Sequence, residues 1–374
     1  MNLLKREVDN SESNILGYRK YQYELIPDFF NICFQYMETM GFKFDRSQIK
    51  YDIIDDYAYY SQNHYSVKVV KIYLQKTDPT PFLHITIPTL LHDTFFKMNG
   101  CFYVPAFYVA DFPITIKKNS YKVESLFKPL TIYSKDGRII FLGSNIPVSR
   151  FLRLYYPDAE VRDIVSDTFN TGYIEEDFDT VRRNIASIIG TSDNLTDITT
   201  RIDDLFFDNW TRELYQTCYK LENPSIKNIL DLIIKRKVKR NSFIDLDHKR
   251  IVFIEWLMKP LFEAVSKAVN GLVAGTQPKN INIEVGAITN HFFSKTGLGR
   301  NFFYDTTNGF SSLLAMKASF KNPGGKSELP AEVSNIHKSH KGRVCPVTIS
   351  NAAPGQVVSL VPNQNINLKF GIFQ

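Results

Sequence analysis

The hydrophobic period of this chain changes along its length, and that change restricts its fold more than any other feature. Ser66–Gln75 (SVKVVKIYLQ) alternates apolar and polar residues, the period-two pattern of a half-buried strand. Further strand-like runs follow at Phe82–Ile87, Phe95–Met98 and Phe102–Val109, and Asn99-Gly100 is a hairpin signal between the last two. Asp136-Gly137 makes the same signal between Leu130–Tyr133 and Arg138–Leu142. Helical spacing governs other stretches. Phe29, Phe30, Cys33, Phe34, Met37 and Met40 share one face of a helix expected over Ile26–Phe42, with Gly41 as its stop. Short helices are expected over Val148–Tyr156, Val161–Phe169, Val181–Ile189 and Leu205–Leu221, the last broken by Asn223-Pro224. Another starts at Ser225, and a long one is expected over Lys249–Val269, kinked or restarted at Pro260 and ended by Gly271. After Phe293 periodicity fades into Gly-, Asn-, Ser- and Pro-rich sequence, which must pack against something to be ordered. The pattern predicts an α+β, multidomain chain without a doubly wound parallel sheet.

Length and composition narrow the function classes. The 374 residues suit two or three domains and a sizeable core. With 44% hydrophobic and 22% charged residues the chain is globular rather than disordered, and its 29 Phe and 20 Tyr are expected to fill cores and domain interfaces. Cys33, Cys101, Cys218 and Cys345 form no CxxC pair, which suits free thiols in a reducing compartment. The start, MNLLKREVDNSES, lacks a signal-peptide core, and no run of about 18 apolar residues is present, so a soluble, intracellular protein is expected. Net charge is +6, which favours a polyanionic partner. The dense run Lys235-Arg236-Lys237-Val238-Lys239-Arg240 fits DNA contact and fits an exposed helix end equally well. From Lys295 onward the only acids are Asp305, Glu328 and Glu332. Glu175-Glu176-Asp177 and Asp203-Asp204 read as solvated faces rather than metal sites. No GxxxxGK[ST] or GxSxG motif occurs, so no catalytic set is visible.

The most specific segment is Glu332-Val333-Ser334-Asn335-Ile336-His337-Lys338-Ser339-His340-Lys341-Gly342-Arg343-Val344-Cys345-Pro346. It resembles the signature E-V-R-D-V-H-x-(T/S)-H-x-G-R-(I/V)-C-P of the β-type, second-largest subunit of multisubunit DNA-dependent RNA polymerases. Weaker resemblances run in the family's own order. Ile87-Pro88 with Thr94-Phe95 and Asn99-Gly100 is similar to the protrusion, and Ile146-Pro147-Val148-Ser149-Arg150-Phe151-Leu152-Arg153 to the lobe. Asp245-Leu246-Asp247-His248-Lys249-Arg250-Ile251 is similar to the return from the lobe. Phe292-Phe293, Asp305, Asn308, Ser311, Lys317-Ala318-Ser319 and Pro323-Gly324-Gly325 are similar to the rifamycin-pocket and fork region. The resemblance implies a protrusion over 1–114 and 241–290, an inserted lobe over 115–240 and a fork region over 291–374. A chain ending soon after the signature resembles the N-terminal part of the split β subunits of giant phages (phiKZ-like type).

The resemblance implies a subunit that walls a cleft for template DNA and the RNA–DNA hybrid, inactive alone. Expected partners are a β C-terminal chain, β′-type chains and a promoter-specificity subunit, with no membrane. The expected location is the cytoplasm of an infected bacterial host, or the virion. No cofactor is expected on this chain, because the family's aspartates for Mg2+ lie in the β′-type subunit. Arg300, Lys317, Lys321, Lys326, Lys341 and Arg343 are the expected nucleic-acid contacts, since phosphate neutralisation by Lys and Arg positions a duplex without reading its sequence. Asp305, Asn308, Ser311 and Ser319 match polar positions of the rifamycin pocket. Departures are also clear. The family's glutamates after C-P are replaced in Val347-Thr348-Ile349-Ser350-Asn351, and neighbouring pocket arginines are missing, so poor rifampicin binding is expected. His337, His340 and Cys345 look superficially like zinc ligands, but a fourth is not evident and histidines hydrogen-bonded in a packed loop are the preferred reading. Two other functions remain open: a stand-alone nucleic-acid-binding or phage structural protein that kept the fold, and a small metal protein.

Overall fold

The computed structural model describes residues 15–42, 50–55, 66–73, 81–88, 96–98, 101–104, 107–117, 119–238, 242–276, 302–303, 317–320, 335–346, 357–361 and 364–374. The described residues form an α+β fold. Helix α1 (Ile15–Glu24) precedes α2 (Ile26–Glu38), which opens with a proline in its first turn, where the missing N–H costs no helical hydrogen bond. The predicted apolar face of α2 is buried (Phe29, Phe30, Cys33, Phe34 and Met37). It ends at Glu38, and Gly41 follows at φ +90. Phe29 packs on Trp210 at 4.6 Å and on Phe262 at 5.6 Å, while Tyr36 stacks on Phe127 at 4.2 Å. One helix thus ties together three distant parts of the chain.

Strands β1 (Lys50–Asp55), β2 (Ser66–Tyr73) and β3 (Pro81–Pro88) form an antiparallel meander. β4 (Phe96–Met98) and β5 (Cys101–Val104) pair with Met98 opposite Cys101, the register of a two-residue hairpin. The single strand expected over Phe102–Val109 is instead two, β5 and β6 (Phe107–Asp111), in different sheets. Pro105, which lacks an N–H for the ladder, lies between them.

A five-stranded antiparallel sheet follows: β7 (Ile114–Lys117), β8 (Ser120–Val123), β9 (Leu130–Tyr133), β10 (Arg138–Phe141) and β11 (Ser144–Pro147), ordered β11-β10-β9-β8-β7. The predicted β9–β10 hairpin turns through Gly137 at φ +59. Helices α3 (Val148–Leu152), α4 (Asp158–Asp167), α5 (Phe178–Ile189), α6 (Leu195–Phe206), α7 (Asn209–Tyr219) and α8 (Ile226–Ile234) come next. The helix expected over Leu205–Leu221 is two helices. Asp208 stops α6 and caps α7, accepting hydrogen bonds from Thr211 N at 2.8 Å and Thr211 Oγ1 at 2.6 Å.

The chain then returns to where it left. β12 (Lys249–Val252) pairs antiparallel with β6, Lys249 opposite Asp111, so residues 112–248 form one excursion from that ladder. The long helix expected from Lys249 therefore begins as a strand. All four β12 residues are buried, and a sheet position accepts a fully buried strand where an amphipathic helix would turn one face to water. Helix α9 (Ile254–Leu257) and α10 (Lys259–Val273) follow, and Pro260 restarts rather than kinks the helix. Gly271 lies inside α10 and does not end it. β13 (Phe302–Phe303) adds to β5, while β14 (Lys317–Ser319) runs parallel to β6 and pairs antiparallel with β15 (Val357–Ser359). The resulting order β12-β6-β14-β15 brings four remote pieces of chain into one sheet.

Residues 364–374 close over β12. Ile251 N donates to Gly371 O at 2.9 Å, and Gln22 Nε2 donates to Leu368 O and Lys369 O, each at 3.0 Å. Phe370 packs edge-on to Trp210 at 4.8 Å. Beneath this tail Arg250 is buried and forms a two-pronged ion pair with Glu255, both contacts at 2.6 Å. Buried apolar residues from Tyr18 to Phe373 join in one core.

Candidate nucleic-acid interface

The sequence singled out two segments separately, and the structure brings them into contact. Residues 335–346 wrap a single 3-10 turn, Lys338–His340, against a second such turn, Leu246–His248. The loop caps itself: Ser339 N donates to His337 Nδ1 at 3.3 Å, and His337 N donates to His340 Nδ1 at 3.4 Å. Across the contact Leu246 N donates to Ser339 Oγ at 2.9 Å, and His340 Nε2 lies 2.8 Å from Ile244 O. Although burial raises it, the Asp245 carboxyl is held below its usual range by the Asp247 N–H and by the His337 imidazole, whose Nδ1 lies 3.6 Å away. Arg343 Nη1 donates to Asp247 Oδ1 at 2.6 Å, and its guanidinium lies 5.4 Å from the Phe373 ring centroid. Cys345 N donates to Ser359 O at 2.8 Å and Val361 N to Arg343 O at 2.9 Å, which stitches the loop to β15.

The two histidine rings are thus engaged in loop hydrogen bonds, the packing role preferred from sequence. Among the described residues no group of three or more His, Cys, Asp or Glu side chains is placed to hold a metal ion. With its inner side occupied, the loop offers a basic outer side: Lys338 and Lys341 are exposed, and Arg343 is half-buried beside Asp247. Ile336, in the same loop, is 80% exposed. Such a surface can hold phosphates by charge.

Other expected site residues fall as follows. Lys317 opens β14, and Ser319 ends it half-buried, within the same sheet as β6 and β12. Arg300, Lys321, Lys326, Asp305, Asn308 and Ser311 lie outside the described residues. In the basic run, α8 ends at Ile234, and Lys235, Arg236 and Lys237 are exposed just past its C-terminus, where cations are favoured. Lys239 and Arg240 lie outside the described residues.

Sequence reading missed a cleft of about 510 Å³ between the five-stranded sheet and α10. Lys122 and Phe127 line it from the sheet side, and Trp256, Lys259, Glu263 and Lys267 from the other. Phe127 and Trp256 are more than 125 residues apart in sequence, and the β6–β12 ladder helps to bring them to the lining of one cleft. No local pattern could have revealed it.

Part of this chain is similar to the β subunits of DNA-directed RNA polymerases. Over 177 residues it is 28% identical to DNA-directed RNA polymerase subunit beta of Trieres chinensis, covering 43% of this chain and 12% of that protein. Over 158 residues it is 27% identical to DNA-directed RNA polymerase subunit beta of Rickettsia bellii, from strains OSU 85-389 and RML369-C, covering 38% of this chain and 11% of each relative. The matched stretch thus spans little more than a tenth of these relatives, and defines a β-subunit-like region in this chain. No protein-family profile matches it. Among the described residues no helix is long and apolar enough to cross a membrane.

Proposed function

We propose that this chain is the protrusion, lobe and fork part of a β-type RNA polymerase subunit, of the giant-phage kind, walling the cleft that holds template DNA and the RNA–DNA hybrid. The observation that carries this reading is the contact between residues 242–248 and the signature loop. Within it, Asp245–Ile251 and the loop each resemble the β subunit by sequence alone and meet through Ser339 and Arg343, while His340 reaches Ile244 just before the matched segment. The excursion of residues 112–248 from the β6–β12 ladder supports an inserted lobe, and the cleft beside it supports a path for nucleic acid. Lys317, Lys341 and Arg343, with Arg300, Lys321 and Lys326, are proposed to neutralise phosphates along that path. Asp305, Asn308, Ser311 and Ser319 are proposed to fix the fork region beneath the hybrid. Nucleotidyl transfer would use metal ions held on a β′-type chain, and this chain would supply position and charge.

The test is reconstitution. The chain is combined with a β C-terminal chain and β′-type chains of the same source, and transcript synthesis is followed with magnesium and nucleoside triphosphates. Activity is expected only when this chain is present, and the double reversal Lys338→Glu with Lys341→Glu is expected to reduce it at least tenfold. An assembly that transcribes equally well without this chain overturns the proposal. A pull-down with this chain that recovers no polymerase subunits would favour the stand-alone binding protein.

A further inference from the structure

The five-stranded sheet buries one face beneath the helices and leaves the other open. Strand register fixes the open face without ambiguity, because directly opposed residues point the same way. One row across it runs Lys117, Ser120, Tyr133, Arg138, Pro147, and the next runs Thr115, Lys122, Thr131, Ile140, Asn145. The intervening residues, such as Val123, Leu130, Ile132 and Ile139, are buried. Every charged strand position on the open face is a cation. The nearby carboxylates are Glu124, which pairs with Lys122 at 2.6 Å, Asp136 in the β9–β10 turn beside Lys135, and, in the cleft that Lys122 also lines, Asp111, Glu255 and Glu263. In the middle of these cations Tyr133 and Ile140 stand exposed. With Asp136, Arg138 and Asn145 they line a depression of about 510 Å³.

We propose that this open face binds a single strand of nucleic acid, one base stacking on Tyr133 while Lys117, Lys122 and Arg138 hold its backbone. A cationic sheet face with an aromatic at its centre suits unpaired bases, whose π-faces are free to stack; in a duplex those faces are hidden. A protein partner fits less well, since interface cores are poor in lysine and rich in large apolar side chains, and here only Tyr133 and Ile140 are large and apolar. Lys117 to Arg138 spans three inter-strand steps, about 14 Å, which a short run of nucleotides can bridge. Asp136 and Asn145, at the rim, present an acceptor and an amide to a base edge. The face shares no residue with the signature loop; Thr115 and Lys122 also line the cleft beside α10, and the Tyr133 and Arg138 variants test the face apart from that cleft.

Fluorescence anisotropy of the full chain with labelled oligothymidylate, oligouridylate and a mixed-sequence duplex, each about 20 nucleotides long, provides the test. Tyr133→Ala is expected to weaken single-strand binding about tenfold, Tyr133→Phe to restore it, and the duplex to gain little from the ring. Arg138→Glu should weaken binding and lower the slope of log affinity against log salt by about 0.7. The tighter of the two homopolymers assigns the strand as DNA or RNA. The inference is overturned if Tyr133→Ala and Arg138→Glu bind both homopolymers like the parent, or if Tyr133→Ala weakens duplex and single strand alike. Loss of binding only in the Lys338→Glu, Lys341→Glu variant would place the strand on the signature loop and also overturn it.

Discussion

The helices α4–α8 and the tail formed by β14, β15 and residues 364–374 belong to the same core but are built by opposite means. The helices settle their own accounts within a few residues: Asp177 accepts from Thr180 N at 3.0 Å, Asn194 from Thr196 N at 3.1 Å, and Gly190 at φ +68 ends α5. The tail has a local turn of its own, in which Asn367 accepts from Lys369 N, Phe370 N and Gly371 N, but long-range bonds hold it to the rest of the molecule. Its bonds reach Gln22 from Leu368 and Lys369, across 346 and 347 residues, and Ile251 from Gly371. A chain segment of the first kind can form before its surroundings do. One of the second kind exists only when the rest is already in place, and should be lost as a unit.

The sharpest way to break this contrast is Gly371→Ala. Gly371 sits at φ +66, and a Cβ there would penetrate the Ile251 carbonyl, a backbone atom of β12 that cannot swing aside. A cost of roughly 3–5 kcal/mol is expected, concentrated in the tail. Hydrogen exchange should show loss of protection at residues 364–374 and at Ile251, with α5 and α6 still protected. Equal protection in tail and parent would show that the tail is not held by this close approach.

Ile198→Ala makes the reverse test. Ile198 is fully buried in α6, and truncation should cost about 2–4 kcal/mol. Thermal or denaturant unfolding should report this loss, and exchange should quicken first in α5 and α6 while the tail keeps its protection. If both variants loosen both regions together, the two kinds of construction are one cooperative unit.

The same contrast explains what sequence could reveal. The buried face of α2 and the β9–β10 hairpin were legible because the chemistry that fixes them, apolar spacing and a Gly with positive φ, lies within the segment itself. The start of β12 was not: Lys249-Arg250-Ile251-Val252 looks like the head of an apolar helix, and becomes a strand only because β6 and the tail flank it. The helix break at Asp208 was also missed, although an Asp followed by Asn-Trp-Thr is a sound cap. The continuous apolar run on either side outweighed it. The signature loop was recognised by its residues and not by any periodicity, and its partner segment, Asp245–Ile251, was found the same way. Their contact, the cleft that Phe127 and Trp256 both line, and the cations across the sheet's open face are products of register and topology, which no window of sequence contains.

Asp208 adds a pH dependence to the helical region. Burial pushes its carboxyl up to about 6, against the hydrogen bonds from Thr211 that favour the charged form. The folded state therefore holds a proton that the unfolded chain has already released above its ordinary value of 3.8. The stability this group contributes is present below that ordinary value and is lost as pH rises through about 6, a change of about 2–3 kcal/mol. Asp208→Asn keeps a capping side chain without the titration. Stability of the parent should fall between about pH 4 and pH 6 relative to the variant, measured by denaturant unfolding across that window. Parallel curves for the two proteins would show that Asp208 stays charged throughout.

The smallest expected effect is the one most specific to local construction. Asn194 caps α6 from an exposed position and bonds nothing beyond its own first turn and the turn before it, so Asn194→Ala should cost only about 1 kcal/mol. Asn194→Asp should recover that cost, because a carboxylate accepts the same Thr196 N–H and its charge suits the positive end of the helix. The informative readout is position. Exchange should quicken at the first turn of α6 and at no amide of the tail, because the cap is closed by groups two residues away. Were loss of so local a bond to reach residues 364–374, the helices would prove to depend on the long-range scaffold as much as the tail does.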